Sequence, residues 1–288
     1  MTNRLPSWAI GALASVLFLV FAGIVPPAAS AWVSTAGVQP LDNNGSGGSV
    51  VLTWDDGPGI YTANLLAMLK ALHLHVVFYN LGDKMQANPG LTRDEYLDGD
   101  VVANHSYNLP NFTQISASQV RQQLTETENI IAADGVPKPT IWKPPFGAFS
   151  NPDQQIGNSL GLSLNPFEGY NGCLDSRDWN ATTGVSTAAI VSNITKGYSF
   201  QGYEPPLHAG DLVTFHDGSG DRQLSTEPNM IRALPAIVRY MNTHHLSAST
   251  DANDTTCTKN ADIDYSLWLH HDGYAPSTLS TFPSSDTP

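Results

Sequence analysis

From Ser49 to about residue 250 the chain alternates two hydrophobic patterns, and this alternation leaves few folds open. Short β-branched or aromatic runs predict strands at Ser49–Trp54, Val76–Tyr79, Val101–Ala103, Thr140–Trp142, Asp211–Phe215 and Leu246–Ser249. Runs at helical spacing separate them. One spans about 61–72, with Leu65, Leu66, Met68, Leu69 and Leu72 on one face. A second starts at a Ser116–Gln119 capping box and reaches Ala133. Others fall at Gln154–Leu160, at about 187–196 and at Met230–His245. Strands alternating with helices predict an α/β fold on a largely parallel sheet. No segment repeats at a fixed period.

Residues suited to chemistry fall where the strands end. In Thr53-Trp54-Asp55-Asp56-Gly57-Pro58 two acids close a strand and Gly-Pro turns the chain away. Successive residues at a strand end point in different directions, so one carboxylate can hold a metal while the other stays free as a base. Acidic turns are common and usually only solvated, so the other strand ends decide. His105, Lys143 and His216 occupy equivalent places. A (β/α) barrel gathers its reactive groups at this same end.

Residues 1–31 carry one charge, Arg4, an apolar run from Trp8 to Val25, and Ala29-Ser30-Ala31 ahead of Trp32. A cleaved signal peptide and an uncleaved membrane anchor both fit this segment, and export follows from either. Residues 32–48 read as a flexible lead-in, 49–250 as a single domain, and 251–288 as an extension rich in Asp, Thr, Ser and Pro. The net charge is −13, and Lys and Arg never cluster. Nucleic acid and anionic membrane surfaces are thereby poor partners, and a neutral ligand or cationic product suits the chain better. A monomer is expected. Cys173 and Cys257 fit either a disulfide or two free thiols. Six Asn-x-Ser/Thr sequons occur, at Asn44, Asn104, Asn111, Asn180, Asn193 and Asn253.

Five motifs stand in order at the strand ends: Thr53–Pro58, His105-Ser106-Tyr107-Asn108, Lys143–Gly147, Asp175-Ser176-Arg177-Asp178-Trp179 and Phe215-His216-Asp217. Together they resemble the polysaccharide deacetylases, the NodB-homology carbohydrate esterases, over roughly residues 49–250. The resemblance implies a distorted (β/α) barrel. It also implies metal-dependent hydrolysis of acetyl groups on N-acetylglucosamine polymers or acetylated xylan, with Zn²⁺ or another divalent ion such as Co²⁺. By the same resemblance Asp55 is the general base, His216 the general acid, and Asp178 the carboxylate that raises the basicity of His216. Lys143 stands beside the base, Asp56 and His105 are metal ligands, and Phe146, Trp179 and Thr214 border the substrate pocket. The backbone N–H of Phe146 helps bind the oxyanion in this reading. Asp175 reads as structural.

Three positions depart from that pattern. Leu109 stands where the family places a second histidine ligand, which leaves two protein ligands, with Asn108 or Asn111 as substitutes through an amide oxygen. Lys143 replaces an arginine and gives up its planar fork. Thr214 replaces an apolar residue and makes the pocket more polar. About ten residues separate Leu164 from Asp175, a longer link than usual that reshapes the groove. Two functional classes follow: a deacetylase with an altered metal site, and a non-catalytic carbohydrate-binding relative. The retained base and acid favour the enzyme, whereas Leu109 favours the binder.

Overall fold

The computed structural model describes residues 37–43, 45–165, 170–171, 173–179, 185–199, 203–217, 227–252, 254–256 and 258–259. The N-terminal leader, the Asn44, Asn180 and Asn253 sequons, the cysteine pairing (through Cys257) and most of the C-terminal extension lie outside these residues. In chain order the elements are β1 (Ser49–Asp55), α1 (Thr62–Leu72), β2 (Val77–Asn80), α2 (Gly82–Ala87), α3 (Leu91–Leu97), β3 (Val101–Asn104), α4 (Ala117–Ala133), β4 (Ile141–Trp142) and α5 (Asn151–Leu160). They continue with β5 (Ser163–Leu164), β6 (Tyr170–Asn171), β7 (Cys173–Asp175), α6 (Thr187–Lys196), β8 (Tyr198–Ser199), β9 (Tyr203–Glu204), β10 (Leu212–His216), α7 (Glu227–Thr243), β11 (Ser247–Ser249) and β12 (Thr258–Lys259). Short 3₁₀ turns occupy Phe112–Gln114 and Pro145–Gly147.

The main sheet runs β5-β4-β3-β2-β1-β10-β7 with every pair parallel, and β11 joins β1 beside Ser49–Val51. It curls into the distorted (β/α) barrel of the NodB type. The period-two alternation of strands explains both of its faces. On β1, Val50, Leu52 and Trp54 face outward into the large core shared with Leu65, Leu69 and Leu72 of α1 and Leu234, Ile237 and Met241 of α7. Trp54 stacks on Phe215 of β10 with ring centroids 4.7 Å apart. On the concave face Val51, Val77, Tyr79, Ala103 and Leu212 form a small apolar cluster. By the same alternation Thr53 and Asp55 share that face. The register sets Thr53 opposite Thr214, and Asp55 between His216 and Tyr79. The concave interior is therefore layered, with aliphatic residues below, hydroxyls above them and titratable groups at the rim.

Helix starts follow local chemistry. The capping box at Ser116 and Gln119 is present as the sequence predicts. A second box, Ser150 with Asp153, and the proline near the start move α5 to Asn151, earlier than the hydrophobic spacing suggested. Helices α2 and α3 were not foreseen: each is short, and in α2 Met85 is the single buried large apolar residue, so packing rather than sequence period holds them. The sequon at Asn104 is fully buried, with its amide nitrogen donating to the Leu124 carbonyl, which leaves no room for a glycan. Among the described residues no helix is long and apolar enough to cross a membrane.

Trp54 carries the contact between β1, β10 and α7. Trp54→Ala should cost about 3–5 kcal/mol in chemical denaturation without changing far-UV helicity of the folded state. A loss below about 1 kcal/mol would show that the outer core does not hold β1 in place.

Candidate active site

Five strand ends deliver the site. The carboxylate of Asp55 meets the ammonium of Lys143, which follows β4, at 2.8 Å through Oδ1 and 3.1 Å through Oδ2. In the sheet β4 lies beyond β3 and β2 from β1, so the lysine spans the concave interior rather than reaching a neighbour. Lys143 is 1% exposed and Asp55 3%. A single Nζ thus contacts both carboxylate oxygens, without the planar fork that an arginine would present. Thr53 and Thr214 also accept from Lys143 Nζ, at 3.2 and 3.4 Å. Thr214, expected from sequence to make the pocket more polar, is fully buried and its hydroxyl accepts from Lys143.

The backbone carbonyl of Lys143 has a second task. It accepts the Nδ1–H of His105 at 2.9 Å, which turns Nε2 toward Asp56 Oδ1 at 3.4 Å and Asp55 Oδ2 at 3.9 Å. With Nδ1–H committed, Nε2 meets Asp56 either as the second N–H of an imidazolium or as a lone pair sharing a cation with the carboxylate. Two ligands about 2.0–2.1 Å from a tetrahedral zinc lie about 3.3–3.4 Å apart, so this pair fits one edge of such a site. Burial alone would raise the Asp56 carboxyl; the His105 contact and the charges of His216, His105 and Lys84 outweigh it and hold the group below its ordinary value.

The rest of a ligand set is missing. Among the described residues no group of three His, Cys, Asp or Glu side chains could hold a metal. Leu109 sits half-buried in a left-handed conformation, φ 59°, with its N–H donating to Ser106 Oγ at 3.1 Å. The substitutes expected from sequence are both engaged: Asn108 Oδ1 accepts from Gln123 at 2.8 Å, and Asn111 Oδ1 caps the 3₁₀ turn through Thr113 N–H at 3.0 Å. Asp56 and His105 therefore offer two adjacent donors, with no third His, Cys, Asp or Glu grouped with them among the described residues.

On the other side of Asp55, the Nδ1–H and backbone N–H of His216 both donate to Asp178, at 2.9 Å each. Burial pulls the His216 pKa down, but the Asp178 carboxylate, its hydrogen bond and the charges of Asp56 and Asp55 raise it well above 6.5. These contacts favour the imidazolium form of His216, with Nε2 left to carry the second proton. Asp175 is fully buried, and its Oδ2 accepts the Trp179 indole N–H at 2.9 Å, so it props the ring as a structural residue would. The Arg177 guanidinium lies 5.9 Å over that ring. Phe146 is half-buried at φ 58° in the Pro145–Gly147 turn.

Two participants were missed from sequence. Tyr79 places its ring 4.4 Å from Lys143 Nζ. Asp217, next to His216, is buried beneath the Gly57 turn and accepts from Thr62 Oγ1 at 2.6 Å, while its Oδ1 has no hydrogen-bond partner. A β-carbon on Gly57 would lie 2.3 Å from Asp217 Oδ1, so this acid can pack there only because residue 57 is glycine. The adjacency of Asp217 to His216 was the signal available; for Tyr79 there was none.

This arrangement defines a class: a distorted (β/α) barrel with an acid–histidine site at the carboxyl ends of its strands. Residues 42–164 match the family model described as polysaccharide deacetylase. The chain is 34% identical over 173 residues to a bifunctional xylanase/xylan deacetylase of Cellvibrio japonicus, and 29% over 150 residues to the peptidoglycan-N-acetylglucosamine deacetylase PgdA of Listeria monocytogenes. These alignments cover 60% and 51% of the chain but only 23% and 30% of those longer proteins. The family 4 carbohydrate esterase of Streptomyces lividans, solved with acetate, superposes with a TM-score of 0.60 at 28% identity, covering 73% of this chain and 98% of that one.

Burial, chiefly, pushes the Asp217 pKa up to about 7, against the Thr62 hydrogen bond. An acid raised on folding adds stability that is complete below its unfolded pKa and lost as pH rises through the folded value. Wild-type stability should therefore fall between about pH 4 and pH 7 from this group. Asp217→Asn should remove that slope, melting several degrees above wild type at pH 8 and little above it at pH 4.5. Parallel melting curves across that range would refute the assignment.

Proposed function

We propose that the chain is a secreted carbohydrate deacetylase that hydrolyses N-acetyl or O-acetyl groups on a polysaccharide. The observation that carries this reading is the split between Asp55 and His216. They stand in register on adjacent parallel strands, one a carboxylate held by Lys143, the other an imidazolium held by Asp178. An acid anchored by an ammonium beside a histidine paired with its own carboxylate supplies a base and an acid to one reacting centre. Asp55 takes the proton from the attacking water, and His216 donates one to the departing nitrogen or oxygen. Lys143 keeps Asp55 oriented, and its carbonyl fixes the tautomer of His105. Asp56 and His105 would hold a divalent ion, Zn²⁺ or Co²⁺, which polarises the acetyl carbonyl and acidifies water when bound. Phe146 and Trp179 border the acyl group.

The substrate class follows from chemistry and kinship. An acidic chain lacking basic clusters suits a neutral polymer or one that becomes cationic on deacetylation. The similar proteins are named for acting on xylan, peptidoglycan or chitin. A second reading, a carbohydrate-binding relative without chemistry, is favoured by Leu109 alone. The fold accommodates both: one structural neighbour, 20% identical, is described as a pseudoenzyme, and a mutant of it as having restored activity.

Acetate release from chitin oligomers, peptidoglycan and acetylated xylan, with Zn²⁺ or Co²⁺ supplied, tests the proposal. Asp55→Asn should lower turnover about 10²–10⁴-fold. No release from any of the three by the wild type would leave the binding reading. Leu109→His should tighten zinc in calorimetric titration and raise turnover. Histidine accepts a left-handed backbone better than leucine, so this change should not unfold the loop. Unchanged zinc affinity would mean the metal is held without residue 109. Because His216 must be protonated to act, activity should fall as pH rises through its raised pKa. Asp178→Asn should move that alkaline limb down by about one unit or more; an unmoved limb would remove His216 from the acid role.

A further inference from the structure

The Lys143 ammonium is held more closely than an orienting charge requires. It has three N–H donors, and three groups accept them: the Asp55 carboxylate, Thr53 Oγ1 and Thr214 Oγ1. Thr53 directs its own hydroxyl proton to the Val213 carbonyl at 3.0 Å, which leaves oxygen lone pairs for the lysine. Tyr79 offers its ring face at 4.4 Å, and its hydroxyl is fixed by the Asn165 amide. Burial, and to a lesser degree the Asp55 charge, keep that phenol neutral throughout the working range, although the Asn165 bond opposes them. The nest draws on β1, β2 and β10, while the lysine enters from β4. Among the described residues Lys143 is the single buried lysine or arginine.

We propose that Tyr79 and Thr214 are positioning residues that shape this nest for an ammonium and, through Lys143, fix the orientation of Asp55. The proposal rests on the reading of Asp55 as base, but the nest itself is testable without catalysis. A guanidinium is flat and carries five donors in a fork. Here one carboxylate and two hydroxyls surround a point, with the Tyr79 ring face beside it, and Tyr79 itself packs in the apolar cluster with Val51, Val77 and Leu212. An arginine would leave N–H groups buried without acceptors, which is costly. The threonine at 214 thus reads as the partner of the lysine at 143: each makes sense only with the other.

Two measurements separate the nest from the chemistry. First, phenylalanine and its progressively fluorinated analogues are placed at position 79, in the full chain, with Lys143 and with Lys143→Met. Fluorination drains the ring face of negative charge at nearly constant shape. The melting temperature should fall stepwise with fluorination when Lys143 is present and stay level with Met. Equal responses in both backgrounds would overturn the cation contact whether or not the chain deacetylates anything. Second, in acetate release, Tyr79→Leu and Thr214→Val should lower kcat about tenfold or more at unchanged KM, with Tyr79→Phe retaining more kcat than Tyr79→Leu. Lys143→Arg should lower kcat at least a hundredfold while remaining folded. An Lys143→Arg enzyme with wild-type kcat, or losses expressed in KM alone, would refute the positioning role. A wild type that releases no acetate but shows the fluorination pattern would retain the nest and sink the proposed function.

Discussion

A buried cation on an acid is the interaction around which this molecule is arranged. Lys143 and Asp55 face each other inside a curled sheet whose lower layer is aliphatic. Removing two charges from water is expensive, and attraction offsets that cost only when the remaining donors and acceptors are satisfied. That requirement accounts for features that otherwise look unrelated. Thr53 and Thr214 face each other across β1 and β10 because the ammonium needs acceptors. Tyr79 stands beside Asp55 because the fourth side of the ammonium needs a surface that tolerates charge. The lysine also ties β4 to β1 across the two strands that lie between them in the sheet.

Much of this was legible in the sequence, and the rest was not for definite reasons. Period-two alternation puts Asp55 on one face of β1 and Trp54 on the other, and strand-end motifs bring Asp55, Asp56, His105, Lys143, Asp178 and His216 together. Those are local patterns, and local patterns survive in one dimension. Contacts across the concave interior are different. That the Thr214 hydroxyl meets a lysine, or that Tyr79 lies under an ammonium, depends on how far the sheet curls, and spacing carries no record of it. The amide oxygens of Asn108 and Asn111 looked available as ligands because sequence does not show Gln123 and Thr113 already using them. Helices α2 and α3 escaped because six or seven residues hold too few apolar positions to display a period.

The two halves of the site are unequally supported, and the inequality has a physical basis. The proposed base and acid depend on partners that fold with the barrel: Lys143 for Asp55, Asp178 for His216. Each of these carboxylates and cations is buried or nearly so, and removing either member of a pair would strand the other. The metal pair has no such insurance. Asp56 and His105 lie at the distance one cation would bridge, and no third His, Cys, Asp or Glu groups with them among the described residues. The polar groups beside Leu109 have partners: Ser106 Oγ accepts the leucine N–H, and the Asn108 amide is held by Gln123 of α4. A change at residue 109 thus strands no buried charge, whereas a change at either proposed catalytic group does. A chain under pressure only to fold could therefore retain Asp55, Lys143, Asp178 and His216 while residue 109 drifted. Retention of the charge pairs speaks for stability as well as for chemistry. Metal affinity, and its response to a histidine at position 109, is consequently the property that separates the two functional readings most cleanly.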